Sequence, residues 1–183
     1  MMSFARLFVP YVEGTAGIGA PPRTFLAAFV QRVRTGLLPR AATRRTQYVV
    51  VEEAYDHLRF RAASWWTAIN VGLNDVELTV HPQGRVRYAI RYWPWTAYAV
   101  CLCCAVGAVM AGVFLAIDPA AYISQHAESR IPGFTIGQHV AFAWTMVAFW
   151  GFVWPWILIA LHKRPLRRLM ERIIADVDEG VPQ

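Results

Sequence analysis

Residues 95–117, WTAYAVCLCCAVGAVMAGVFLAI, and residues 139–161, HVAFAWTMVAFWGFVWPWILIAL, decide the fold. Each run is 23 residues long, and at roughly 1.5 Å of rise per residue such a helix reaches about 35 Å, enough to cross a hydrocarbon layer of about 30 Å. The first run carries no charged residue, and the second only His139 at its entrance. The expected architecture is an α+β membrane protein: a two-helix transmembrane hairpin, 95–161, with an outer loop over 118–138. A small antiparallel β-sheet domain and flanking amphipathic helices should lie on the cytoplasmic side.

Arginine placement sets the orientation. Residues 1–94 hold twelve arginines and residues 162–183 hold Lys163 and four arginines, whereas the link 118–138 holds only Arg130. Cytoplasmic flanks are enriched in Arg and Lys, so the reading is a two-span protein of the inner (cytoplasmic) membrane with both termini cytoplasmic. The formal charge of +6 is uneven: +6 before the hairpin, −1 in the link and +1 after it. A basic face beside a bilayer points to anionic lipids or an acidic partner, and not to nucleic acid.

The three cysteines, Cys101, Cys103 and Cys104, all fall in the first run, which excludes a disulfide framework. Adjacent helical positions splay roughly 100° apart, so the thiols read as small packing residues and not as metal ligands. The stretch MMSFARLFVPYVEG lacks the apolar core and small-residue cleavage site of a secretory signal, so no processed leader is expected. Glu13 to Pro22, EGTAGIGAPP, reads as a flexible connector. Its glycines fit neither a dinucleotide fingerprint nor a phosphate loop.

A basic amphipathic helix is expected over about 22–36. Phe25, Leu26, Phe29, Val30, Val33 and Leu37 share an arc of about 140° on a helical wheel, suited to the headgroup layer or to covering a sheet. Pro39 to Gln47, with Arg40, Arg44 and Arg45, reads as a solvated basic linker. From Tyr48 to Trp93 the period becomes two, predicting a four-stranded antiparallel sheet over about 48–93. Tyr48–Glu53 and His57–Ala62 form one pair. In the other, Val76, Leu78 and Val80 face Val86, Tyr88, Ile90 and Tyr92 across the turn Pro82-Gln83-Gly84. One face is greasy, and the other presents Arg85, Arg87 and Arg91 as a basic face. The greasy face needs a lid: the helix from Arg23, the C-terminal helix, the bilayer or another subunit. Trp65 and Trp66, between the strand pairs, read as sheet-core packing before interfacial contact. Trp93-Pro94-Trp95 marks the entry to the membrane.

Inside the first run Cys104, Ala108, Gly112 and Ala116 recur every four residues, with Cys103, Gly107 and Ala111 beside them. They make a helix-packing seam for the second run or for a helix of another protein. The second run is aromatic throughout, and Trp144, Phe149 and Trp150 are its expected partner contacts. Trp150 lies near mid-run, where its indole N–H should seek an acceptor. Pro155 should kink the helix and free a carbonyl near Gly151. Two helices do not bury seven rings between them, which suggests other subunits, ordered lipid, or contact with a chlorin or carotenoid pigment.

His139 is the candidate cofactor-binding residue, as an axial ligand to haem or chlorophyll, with His126 as a second. No cofactor is required by the sequence. His139 and His162 sit at opposite ends of one run and do not sandwich one haem. Ser124, His126 and Glu128 share the link without a rigid frame for a catalytic triad. Neither run holds a serine or an ionisable transport site, so an enzyme is not expected. After the second run, His162-Lys163-Arg164 reads as a basic stop. Pro165 then opens a last amphipathic helix within 162–183, with Leu166, Leu169, Met170, Ile173, Ile174 and Val177 on one arc and charges that oppose its dipole.

These features point to a non-catalytic accessory subunit docked on a larger integral-membrane complex, with photosynthetic and respiratory assemblies the first type to consider. The alternatives are a stand-alone protein whose basic domain senses anionic lipids, and a pigment- or haem-binding subunit using His139.

Overall fold

The computed structural model describes residues 8–37, 48–126 and 130–181. The expected linker arginines Arg40, Arg44 and Arg45, and Glu128 of the link, lie outside the described residues. The chain is α+β and divides into two compact units. One runs to Ala97 and resumes at Ile159; the other is Tyr98–Leu158.

The first unit is built on a five-stranded antiparallel sheet in the order β1-β5-β4-β3-β2. Its strands are β1 (Tyr11–Gly17), β2 (Tyr48–Glu53), β3 (His57–Ala62), β4 (Asp75–His81) and β5 (Arg85–Arg91). The sheet thus has one strand more than the alternation predicted. The supposed connector supplies it, with Val12 opposite Ile90, Gly14 opposite Tyr88 and Ala16 opposite Val86. Gly14 is there for room: a side chain at this position would collide with the Tyr88 ring.

Strand parity puts Leu58, Phe60, Val76, Leu78, Val80, Val86, Tyr88 and Ile90 on one buried face. Two helices cover it. In α1 (Pro22–Thr35), Phe25, Leu26, Phe29, Val30 and Val33 are buried, and the Phe29 ring meets Phe60 at 6.0 Å between centroids. Its apolar arc therefore serves the sheet. The second lid is the far half of α6 (Trp154–Glu179), which buries Leu166, Met170, Ile173, Ile174 and Val177. Three polar contacts fix it. The Tyr88 hydroxyl donates to Glu171 Oε1 at 3.2 Å, Arg167 donates to the Glu13 carbonyl at 2.9 Å, and the Asp178 carboxylate accepts the N–H groups of Gly19 and Ala20 at 2.8 and 2.9 Å. Fully burying each aliphatic or aromatic side chain contributes roughly 1.5–3 kcal/mol, so the two stripes, more than the polar contacts, hold the lids down.

Two expectations about the C-terminal segment change. Pro165 lies inside α6 and does not open a new helix. Its missing N–H removes one helical bond, to the Leu161 carbonyl, and the anchored stripe beyond outweighs that loss. Arg167 and Arg168 are consequently mid-helix and no longer oppose the dipole, whereas Asp176, Asp178 and Glu179 still stand at its C-terminal end. Asp178 ties α6 to the β1–α1 connection.

The second unit holds the apolar helices. Its elements are α3 (Trp93–Ile117) from Tyr98 onward, α4 (Pro119–Gln125), α5 (Ile136–Ala148) and a π-helical turn over Phe149–Val153 that leads into α6. The link is not a bare loop. Asp118 caps α4 by accepting from the Ala120 and Ala121 N–H groups, and Thr135 with Gln138 forms a reciprocal capping box on α5. α3 and the helical stretch from Ile136 are both long and apolar enough to cross a membrane, with only 6% and 22% of their most apolar windows buried.

Candidate functional site

Within the second unit the two apolar helices cross at glycine. A Cβ on Gly107 would stand 2.8 Å from the Gly151 Cα, and one on Gly151 would stand 3.1 Å from the Gly107 Cα. Small residues permit this approach of backbone to backbone. Gly151 sits in the π-turn, and Pro155 has no N–H to offer its carbonyl. The Cys104 thiol donates to that carbonyl instead, at 3.6 Å. A π-turn directly before a proline is a common way to absorb the lost bond.

The crossing uses the flank of Cys103, Cys104 and Gly107, with Phe114 edge-on to Trp144 at 5.7 Å. Of the four-residue repeat only Cys104 takes part, while Cys103 and Gly107, expected beside it in the seam, complete the flank. Ala108, Gly112 and Ala116 are exposed, and among the described residues nothing beyond α3's own backbone and the adjacent residues lies within 4 Å of where a Gly112 Cβ would be. The rings of the second helix cluster among themselves: Phe149 with Trp150 at 5.5 Å, and Trp150 with Trp154 at 4.8 Å. Trp144 and Phe149 are half-buried, while Trp150, Phe142 and Phe152 are exposed. The Trp150 indole meets no acceptor among the described residues.

His139 is buried, and its two ring nitrogens are engaged. Nε2 accepts the Ile131 N–H at 2.6 Å, and Nδ1 lies 2.8 Å from the Thr135 carbonyl. Since a carbonyl only accepts, the proton is on Nδ1. The imidazole pins the link to the first turn of α5, and ligation through Nε2 would require breaking the Ile131 bond. His126 stacks on Tyr122 at 4.2 Å, and Ser124 donates to the Ala121 carbonyl. Among the described residues no group of three or more His, Cys, Asp or Glu converges to hold a metal ion.

The chain matches no protein-family model, no curated protein and no solved structure. Its own geometry carries the functional reading.

In the first unit the basic face is a ladder of ion pairs. Arg87 meets Glu13 at 3.5 Å, Arg91 meets Glu77 at 3.1 Å and Asp75 at 3.7 Å, and Arg59 binds Asp75 in a bidentate pair. Arg85 is exposed, and like Arg61 it has no ion-pair partner among the described residues. The expected face of Arg85, Arg87 and Arg91 is thus largely neutralised by carboxylates of the same strand parity.

Trp65 and Trp66 do not plug the sheet core. They open α2 (Trp65–Val71), whose N-cap is Ser64, and stand 54% and 66% exposed. The core position belongs instead to Thr67 and Ala68. Asn74, also buried, donates to the Ala68 carbonyl at 2.7 Å and accepts the Trp95 N–H at 3.4 Å, fastening α2 beside the first turn of α3. A pocket of about 460 Å³ opens there.

His162 marks the other side of that junction. It stacks on Trp95 at 4.0 Å and 7°, meets the Tyr92 ring edge-on at 5.5 Å, and lies against Gly72, whose φ of 81° and lack of a Cβ leave it room. The Tyr92 hydroxyl donates to the Ile159 carbonyl at 3.1 Å. Burial pushes the Tyr92 phenol up, and burial with the Glu171 carboxylate pushes Tyr88 up to about 12. Burial lowers the His162 pKa below its ordinary 6.5, and its Nε2 has no hydrogen-bond partner among the described residues.

A group depressed in the folded state stabilises fully above its unfolded pKa, and that contribution is lost as pH falls through the folded value. The melting temperature of the sheet unit should therefore fall as pH drops below about 6.5. His162→Phe, which keeps the stack and removes the proton site, should flatten that part of the profile. Equal pH slopes in the two proteins would show that His162 is not the titrating group.

Proposed function

We propose that this chain is a two-span protein of the inner membrane and serves as a non-catalytic accessory subunit of a larger integral-membrane assembly, its sheet unit on the cytoplasmic side. The observation that carries the reading is the unused flank of α3. The Gly107–Gly151 crossing joins the two helices through one flank, and the neighbouring stripe of Ala108, Gly112 and Ala116 stays open. Helix association in lipid is driven by close backbone approach, which small residues permit. The exposed Trp150, Phe142 and Phe152 supply a second surface for a partner or ordered lipid. Low burial of both apolar helices supports membrane crossing, and arginine enrichment at their shared ends supports cytoplasmic termini.

Gentle detergent extraction from native membranes should recover the chain within a larger complex. Gly112→Leu should release it while leaving the hairpin intact. Recovery of the wild-type chain alone, monodisperse and folded at native abundance, would overturn the assignment. An absorption spectrum of the same material tests for a pigment- or haem-bearing partner, photosynthetic or respiratory.

A further inference from the structure

We infer that the pocket between β3, α2 and the first turn of α3 binds the headgroup of an anionic phospholipid, with Trp65, Trp66 and Trp93 seated at the membrane interface around it. The inference rests on the spanning reading of α3 and names a lipid contact that the accessory-subunit reading does not require.

Four observations support it. Trp93 and Pro94 open the apolar helix and also line the pocket, so the cavity is built on the residues at which the stretch read as membrane-spanning begins. Trp65 also lines the pocket, and Trp65, Trp66 and Trp93 are 54%, 66% and 60% exposed. Indoles are costly to leave in water and are favoured at headgroup level. The site is rigid, because buried Asn74 bonds both α2 and the Trp95 N–H. Finally, the charges on the wall are unequal in availability. Asp75 is already bound by Arg59 and Arg91, whereas the Arg61 guanidinium has no ion-pair partner among the described residues. An exposed arginine beside an apolar wall of indole suits a phosphodiester whose glycerol and acyl stem lie against the rings.

The test uses the full chain in vesicles of phosphatidylcholine containing phosphatidylglycerol, with a photo-crosslinking benzoylphenylalanine at position 66, 142 or 51 in turn. Position 142 reports insertion of the second apolar helix, and position 51, exposed on edge strand β2, reports background. Lipid adducts are expected at 66 and 142 and not at 51. At position 66 phosphatidylglycerol should exceed its share of the bilayer by about fivefold, the effect of one arginine near an anionic headgroup. Arg61→Gln should return the ratio to the bulk composition, and Arg61→Lys should retain part of it. Adducts at 142 but not at 66, or as many at 51 as at 66, would overturn the site and leave the spans standing. Adducts at 66 whose composition follows the bulk, or ignores Arg61→Gln, would overturn headgroup binding in the pocket. Absence of adducts at both 66 and 142 would remove the spanning reading and this inference with it.

Discussion

Gly107→Leu should separate the two apolar helices. At the crossing the nearest atom to a new Cβ is the Gly151 Cα, at 2.8 Å. That atom belongs to the backbone, so no rotamer change relieves the clash and the helices must move apart. Overpacking of this kind costs about 1–3 kcal/mol and occasionally more, and Leu adds three carbons beyond the one that Ala adds. Separation also strands the Gly151 carbonyl, whose donor is the Cys104 thiol, and opens the Phe114–Trp144 contact. In mild detergent titrated with dodecyl sulfate, the unfolding midpoint followed by tryptophan fluorescence should fall strongly for Gly107→Leu and by less for Gly107→Ala. It should stay put for Gly112→Leu, whose Cβ position is open. Equal midpoints for the leucine variants at 107 and 112 would refute the crossing.

That contrast shows how far periodicity reaches. A repeat of four in the first apolar run marks a small-residue surface on α3, yet the neighbouring flanks differ by only one position along the helix. Cys104 sits on the used flank, whereas Ala108, Gly112 and Ala116 do not. What selects the used flank is Gly151: both glycines lie near the middle of their runs, so an antiparallel hairpin brings them to the same depth. Pairing Gly151, the one glycine of the second run, with the mid-run glycine of the first, Gly107, would have found the crossing.

In the sheet unit, alternation was sufficient wherever one face is buried. β2 and β3 run over Tyr48–Glu53 and His57–Ala62, the stretches read from their period, and β4 and β5 follow the Val76–Tyr92 alternation. β1 was illegible because Gly14, Ala16 and Gly17 have little strand preference of their own. Pairing with β5 makes it a strand, and Tyr88 needs the space that Gly14 leaves. Trp65 and Trp66 misled for a related reason: a bulky aromatic pair reads as core, but in a seven-residue helix the inward positions go to Thr67 and Ala68. Arginine parity was visible, whereas its neutralisation by Glu13, Asp75 and Glu77 depends on strand order. Arg61 stands out only once those pairs are known.

Phe60→Ala should all but unfold the sheet unit. Phe60 is completely buried, with the Tyr48 ring edge-on at 5.8 Å and Phe29 of α1 at 6.0 Å, so it joins an edge strand, an inner strand and one lid. Truncating a buried Phe to Ala costs about 3–5 kcal/mol, against a total stability of about 5–15 kcal/mol for a domain of ordinary size. The cavity would not collapse readily, because β3 is held between β2 and β4 by its ladders. Phe60→Leu keeps the site filled and should lose much less. The apolar helices have their own contacts, so the alanine variant should remain resistant to alkaline extraction from membranes while residues 48–92 become sensitive to protease. A variant melting within a few degrees of wild type, with the strands still protected, would show that α1 is not clamped to the sheet through Phe60.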